Sequence, residues 1–205
     1  KMYINLQDHP KRGMRAFKVD VAATTPVIST ANAKLFLKVD ISDDDTLIDS
    51  LVTAATQSAQ EYTNRFFIDT TITQYGTTFN DLKELYKSPV SSITHIKYYD
   101  DDNVQQTLAG TVYNLVPAIE PSRVELKVDQ SYPSVADRSD AVECKYVVGY
   151  GAAASDVPQA IIQAVYLTIG HWYQNRQAVV VGSQVNTLPM AVKYLLDQYK
   201  VQVCR

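Results

Sequence analysis

The sequence predicts an α+β fold. One long N-terminal helix and two C-terminal helices form a bundle, and an antiparallel β-sheet or small β-sandwich is inserted between them. Three observations predict it. Apolar residues recur at helical spacing from Leu47 to Phe66. Residues 70–150 then change to short runs rich in Thr, Val, Ile and Tyr, separated by turn signals. Helical spacing returns after Pro158. The chain therefore divides into an N-terminal arm (1–28), a helical unit (29–69 and 152–205) and an inserted β-domain (70–151).

The elements follow in order. Ser29 and Thr30 precede NAKLFLKV, a helical signal of about two turns with a capping residue in front. Ser42 and Asp45 resemble a capping box, and Asp43, Asp44 and Asp45 suit the positive end of a helix dipole. These acids are read as caps, since nothing near them completes an oxygen cage for a metal. The long helix then carries Leu47, Leu51, Ala54, Ala55, Ala59, Tyr62 and Phe66 on one stripe and runs to Arg65 or Phe66. Strands are expected in TITQYGTTF, SITHIKYYD, TVYNLV, RVELKV and AVECKYVVGYG, with a hairpin tip at Asp100–Asn103. Asp156 is expected to cap the next helix and Pro158 to open it. That helix is apolar on most sides, through Ile161, Ile162, Val165, Tyr166, Ile169, Trp172 and Tyr173, which predicts a central, buried position. Leu188, Ala191, Val192, Leu195, Leu196 and Tyr199 form the stripe of a last helix opened by Pro189.

Composition narrows the function classes. Hydrophobic residues make up 46% and charged residues 20% of the chain, which suits a folded globular protein. The net charge of −3 disfavours sequence-specific duplex binding. The chain has 14 tyrosines against 5 phenylalanines and 1 tryptophan, a usage that fits both interfaces and strands. No apolar run approaches the roughly 18 residues that span a bilayer, so no membrane partner is expected. Cys144 and Cys204 have no paired spacing; both are read as reduced thiols, with Cys144 buried in a strand. Residues 1–13 are set aside from the fold, with Met14 an alternative start.

No constellation for catalysis emerges. His9, His95 and His171 each lack a second ligand at metal-binding spacing, and His171 is read as a packed helix residue. There is no nucleophile elbow, and Gly149-Tyr150-Gly151 ends a strand without opening a phosphate loop. The expectation is a non-enzyme with no cofactor and no metal. A ligand-binding β-domain and an enzyme with a site assembled from distant acids remain as alternatives.

The order of the segments carries a resemblance. DTLIDSLVTAATQSAQEYTNRFF, ending in Glu61-Tyr62-Thr63-Asn64-Arg65, resembles the first long helix of the phage head–tail connector (adaptor) family. The strand segment SPVSSITHIKYYD at 88–100 follows, then Val147–Gly151, Val157–Ile161, His171–Arg176 and Leu188–Leu196, in the family's order across roughly residues 29–200. Val179-Val180-Val181 and the N-terminal arm have no match in it. The resemblance implies a structural virion subunit, assembled in the host cytoplasm and placed at the neck. Its partners would be further copies in a dodecameric ring, the portal protein and a tail or tail-completion protein. Packaged double-stranded DNA would pass through without sequence-specific binding. The Gln177–Thr187 loop, with Val179, Val180, Val181 and Gly182, is expected to meet a neighbouring subunit, the portal or a tail protein; a small strand packed on its own subunit is the other reading. Lys200 to Arg205 form a second candidate contact.

Overall fold

The computed structural model describes residues 16–175 and 190–201. Helix α1 (Thr30–Leu37) starts where expected, with Ser29 Oγ accepting from the Asn32 N–H at 3.2 Å. It ends on Lys38 in the left-handed region, where Val39 N–H reaches Lys34 O at 3.1 Å. Helix α2 (Asp45–Thr63) closes in the same way on Asn64, and Arg65 N–H returns to Gln60 O at 3.0 Å.

The expected capping box at the start of α2 does not form. The cap position is Asp44, which makes no side-chain cap bond, and Ser42 supplies only its carbonyl to Asp45 N–H. The acids tie α2 to its neighbours instead. Asp45 Oδ1 lies 2.6 Å from Lys34 Nζ, Asp49 accepts from Thr30 Oγ1, and Asp44 accepts from Tyr173 OH at 2.6 Å. The buried stripe of α2 keeps Ala55 and Ala59 of the expected one but otherwise lies one residue on: Ile48, Val52 and Thr63 are buried, while Leu47, Leu51 and Tyr62 are half-buried and Ala54 is exposed. Two apolar stripes of the same period lie side by side on this helix. The helices packed against it select between them, and periodicity alone has no phase to offer.

Helix α3 (Gln159–Gln174) contacts all three other helices, as its apolar circumference predicts. It starts on Pro158 without a side-chain cap. Asp156, expected to cap it, instead closes the preceding 3-10 turn by accepting from Ala153 N–H at 3.0 Å. Helix α4 (Met190–Asp197) buries Val192 and Leu196 and leaves Ala191, expected in its stripe, exposed.

The strands β1 (Ala16–Val21), β2 (Thr70–Gly76), β3 (Val90–Tyr99), β4 (Gln105–Thr107) and β7 (Val142–Val148) form one antiparallel sheet in the order β1-β2-β7-β3-β4. Strands β5 (Tyr113–Val116) and β6 (Arg123–Leu126) form a separate hairpin. The fold is thus α+β, as predicted. Strand β4 was not expected; it is short and has no apolar residue to signal it. Strand β1 lies within the segment read as an arm, although Phe17, Val19 and Val21 alternate as a strand's residues do.

One face of the sheet is covered. Phe79 and Leu82 of a 3-10 segment, Leu85 just after it and Val124 of the hairpin pack on Ile72, Ile96, Cys144 and Tyr146. Gln74, fully buried in β2, organises this cover: its amide donates to Asp81 O and Glu84 O, and its carbonyl accepts from Tyr86 N–H and Tyr146 OH. A buried amide with every strong hydrogen-bonding group engaged fixes the position of the segment above it. The helices enclose a second core around Ile48, Val165 and Ile169.

Asp20 turns a charge toward its own sheet beside a bulge between Val19 and Val21, two features that discourage unselective pairing at an edge. Its carboxylate is held below the usual range by the Thr73 hydroxyl first, then by Lys145, 3.3 Å away, and Lys18. A depressed carboxyl stabilises the fold above its unfolded pKa and loses that contribution as pH falls through its folded value. Asp20→Asn is therefore expected to be less stable than the parent at pH 7, with the difference closing as pH drops below about 4. Urea titrations of both proteins at pH 7 and pH 3 check this; equal differences at the two pH values would contradict it.

Candidate assembly surfaces

The described residues bring no catalytic constellation together. No group of three His, Cys, Asp or Glu side chains among them could hold a metal ion. Cys144 is buried, and burial pushes its thiol well above the ordinary range, which leaves it inert as a nucleophile. His95 Nε2 lies 3.2 Å from Glu143 Oε1 on the uncovered sheet face, where His95 and Lys145 are opposite in register. His171, read from the sequence as a packed residue, is exposed and pairs with Asn175 across the last turn of α3. Its neighbour Trp172 takes the half-buried position, so the histidine falls on the solvent side. His9 lies outside the described residues. No described helix is long and apolar enough to cross a membrane.

What the surface does offer is apolar area on the helices. Leu35 of α1 is 80% exposed, and Met190 and Tyr194 of α4 are 89% and 77% exposed. Met190 and Tyr194 are four residues apart and so share one helix face. Phe36 and Leu167 are exposed as well, and the Phe36 ring sits 4.9 Å from that of Tyr166 on α3. Single exposed leucines are ordinary in a monomer; several large apolar side chains exposed on α1, α3 and α4 have the composition of contact surfaces.

The end of α2 joins the two cores. The left-handed turn at Asn64 points Arg65 back between them, and Asn64 Nδ2 donates to Tyr86 O at 3.0 Å. Arg65 forms a forked pair with Glu120, donates through Nε to Tyr199 O, and lies 5.9 Å from the centre of the Tyr150 ring. One guanidinium thereby holds the hairpin side, the end of β7 and the chain after α4 together. Val201 N–H adds a bond to Thr63 O at 3.0 Å. Nearby, Lys87 is buried, lies 3.3 Å from Glu61, and sits over the Phe66 and Phe17 rings. The arginine was visible in the sequence as the close of a motif. Its partner at residue 120 was not, because nothing local links positions so far apart.

Of the residues singled out from the sequence, Lys200 is described. It is exposed just beyond α4, with its ammonium 4.8 Å from the centre of the Tyr62 ring. Tyr62 OH in turn donates to Asp197 Oδ1. Val179, Val180, Val181, Gly182 and Arg205 lie outside the described residues.

The model of the head completion protein family matches residues 26–201. The chain belongs to the head completion protein family. The match spans α1 through α4 with strands β2 to β7, so the segments that carried the resemblance lie inside it. This chain shares its fold with chains of solved assemblies. A chain in the neck of an empty gene transfer agent (GTA) particle, treated with C6 symmetry, superposes with a TM-score of 0.76 at 20% identity, over 93% of this chain and 97% of that one. A chain of the native GTA virion gives 0.75 at 20% identity, over 92% and 97%. A chain of the native GTA neck with C12 symmetry gives 0.73 at 20% identity, over 93% and 97%. No curated protein sequence matches the chain. At this identity the likeness is one of fold, and it extends over nearly the full length of both chains. This head completion protein therefore pairs its sheet and helices in the same arrangement as those neck subunits.

Proposed function

We propose that the chain is a structural head–tail connector subunit, working in the neck of a virion by assembly and not by catalysis. Membership of the head completion protein family over residues 26–201 carries this reading. The large apolar side chains exposed on α1, α3 and α4 support it, since a subunit that assembles needs surfaces of this kind. In the assembled state the subunit forms a closed ring, the dodecamer that the family resemblance implies, stacked on the portal protein. The ring extends the channel for packaged double-stranded DNA and offers its other side to a tail or tail-completion protein. A net charge of −3 suits a conduit that must release phosphates and not hold them. The helical unit (29–69 and 152–205) makes the ring in this reading, and the inserted β-domain (70–151) rides on it.

The Gln177–Thr187 segment belongs to the ring contacts, because it runs directly into the exposed Met190–Tyr194 face. Lys200 and Arg205 are assigned to portal contact. The test is negative-stain microscopy of the protein mixed with the portal ring of the same particle. A second coaxial ring is expected on the portal, and its absence over a range of protein concentrations would count against the reading. Val180→Asp should abolish that ring while the melting temperature of the free subunit stays within about 2 °C of the parent, since surface substitutions cost within about 0.5 kcal/mol. Normal rings from that variant would remove the valine segment from the interface.

A further inference from the structure

A groove of about 410 Å³ runs between α2 and the segment that follows β1. Val52, Phe66 and Ile68 contribute apolar surface, and Thr56, Gln57 and Gln60 of α2 form one wall. No residue lining it is ionisable. The opposite wall is Ala22–Pro26, which is exposed, and whose backbone makes no hydrogen bond to another backbone group among the described residues. Strand β1, leading into it, is the edge of the sheet among the described residues. The Thr56 hydroxyl oxygen in this groove is buried without a partner. A wall whose backbone groups lack backbone partners, an apolar floor and neutral polar side chains together suit an uncharged peptide. Buried polar atoms without partners, such as Thr56 Oγ1, are what such a peptide would satisfy.

We propose that this groove receives the Gln177–Thr187 segment of a second copy of the chain. The inference rests on the ring reading and deepens it, by naming the surface that the valine segment meets. Three observations select this occupant. The chemistry matches: no ionisable residue lies between Arg176 and Lys193, and Val179-Val180-Val181 has the branched side chains that favour an extended backbone. The charged N-terminal stretch, with Lys1, Asp8, Lys11, Arg12 and Arg15, is a poor fit to a groove without counter-charges.

The geometry also matches. At 100° per residue, Thr53, Thr56, Gln57 and Gln60 lie roughly 110° round α2 from the buried Ile48–Ala59 stripe. Tyr62, which holds α4 through Asp197, lies roughly 60° round the other way. The groove and the helix that the segment leads into are thus on opposite flanks of α2. Complementary surfaces on opposite flanks are what a head-to-tail contact needs in order to close a ring. Finally, the length suffices: a stretch of this many residues spans at most roughly 35–40 Å when fully extended.

The experiment is cysteine cross-linking in rings assembled on the portal. In a Cys204→Ser background, Gln57→Cys subunits are mixed with differently sized Val180→Cys subunits and treated with a short bis-maleimide; Cys144 is buried and does not compete. A cross-linked pair of unlike subunits is the expected product. A second variant, Gln57→Asp, places a charge in the groove and should raise the concentration for half-assembly at least about tenfold, with the free subunit's melting unchanged. Rings that form without any cross-link would overturn the groove assignment and leave the connector reading standing. A cross-link found only within single chains carrying both cysteines would show that the segment fills its own groove, and would overturn it too. Absence of both rings and cross-links would overturn both readings.

Discussion

Gly149→Ala is expected to destabilise the protein by about 3–5 kcal/mol, through the addition of one methyl group. Gly149 follows β7 directly, with φ of 154°, a conformation that side chains rarely adopt. A Cβ there would lie 2.5 Å from Asp69 N and 2.7 Å from Ile68 C, both backbone atoms. Neither chain can retreat. Gly149 N–H is bonded to Pro89 O at 2.9 Å, Tyr150 N–H to Phe67 O at 3.1 Å, and Asp69 N–H to Gly151 O at 2.9 Å. This is the crossing where β7 leaves the sheet core and the chain enters the helical core, so the strain falls on both. For a chain of this length the change corresponds to a fall in Tm of roughly 10 °C, readable by calorimetry. Gly110→Ala is the control, since a Cβ at that position meets nothing within 4 Å. A Gly149→Ala protein as stable as the Gly110→Ala protein would show that the two backbones are not locked together here.

The second large effect is an asymmetry in the Arg65–Glu120 pair. The Arg65 side chain is 7% exposed and that of Glu120 41%. Removing Glu120 leaves a buried guanidinium without its counter-ion, which costs about 3 kcal/mol, at the lower end of the usual range because part of the carboxylate faces water. Removing the guanidinium leaves a carboxylate that water can reach. Glu120→Ala should therefore destabilise more than Arg65→Met, for which about 1–2 kcal/mol is expected from the lost bond to Tyr199 O and the lost packing. The double variant should be no less stable than Glu120→Ala alone, because the stranded charge has gone with its partner. Denaturation of the three variants measures this cycle. Additive losses would mean that Arg65 reaches solvent when Glu120 is removed, and that the pair does not clamp the two cores.

These two sites differ in how much of them the sequence reveals. Gly149 and Gly151 stand out as the end of a strand, and Arg65 as the last residue of a recognisable helix ending. What each one touches was not visible. Asp69 and Ile68 approach Gly149 from the other end of the sheet region, and Glu120 comes from the loop after β5. The acids at the start of α2 teach the same lesson. Their composition suggested caps, a local use of charge, whereas Asp44 and Asp45 serve tertiary partners on α3 and α1. A carboxylate in a first turn has two competing uses, and the distant donor wins when packing brings it within reach.

The sequence by itself determined the α+β class, the helix–strand–helix order of its segments, the hairpin tip at Asp100–Asn103 and the family resemblance. All of these rest on local patterns: periodicity, turn residues and short motifs in a set order. Only the tertiary structure decided which stripe of α2 is buried, that β1 joins the sheet, how Arg65 bridges two cores and that a neutral groove lies beside α2. Each depends on residues distant in the chain meeting in space. A helical or strand period specifies which residues share a face, and packing alone specifies what that face meets.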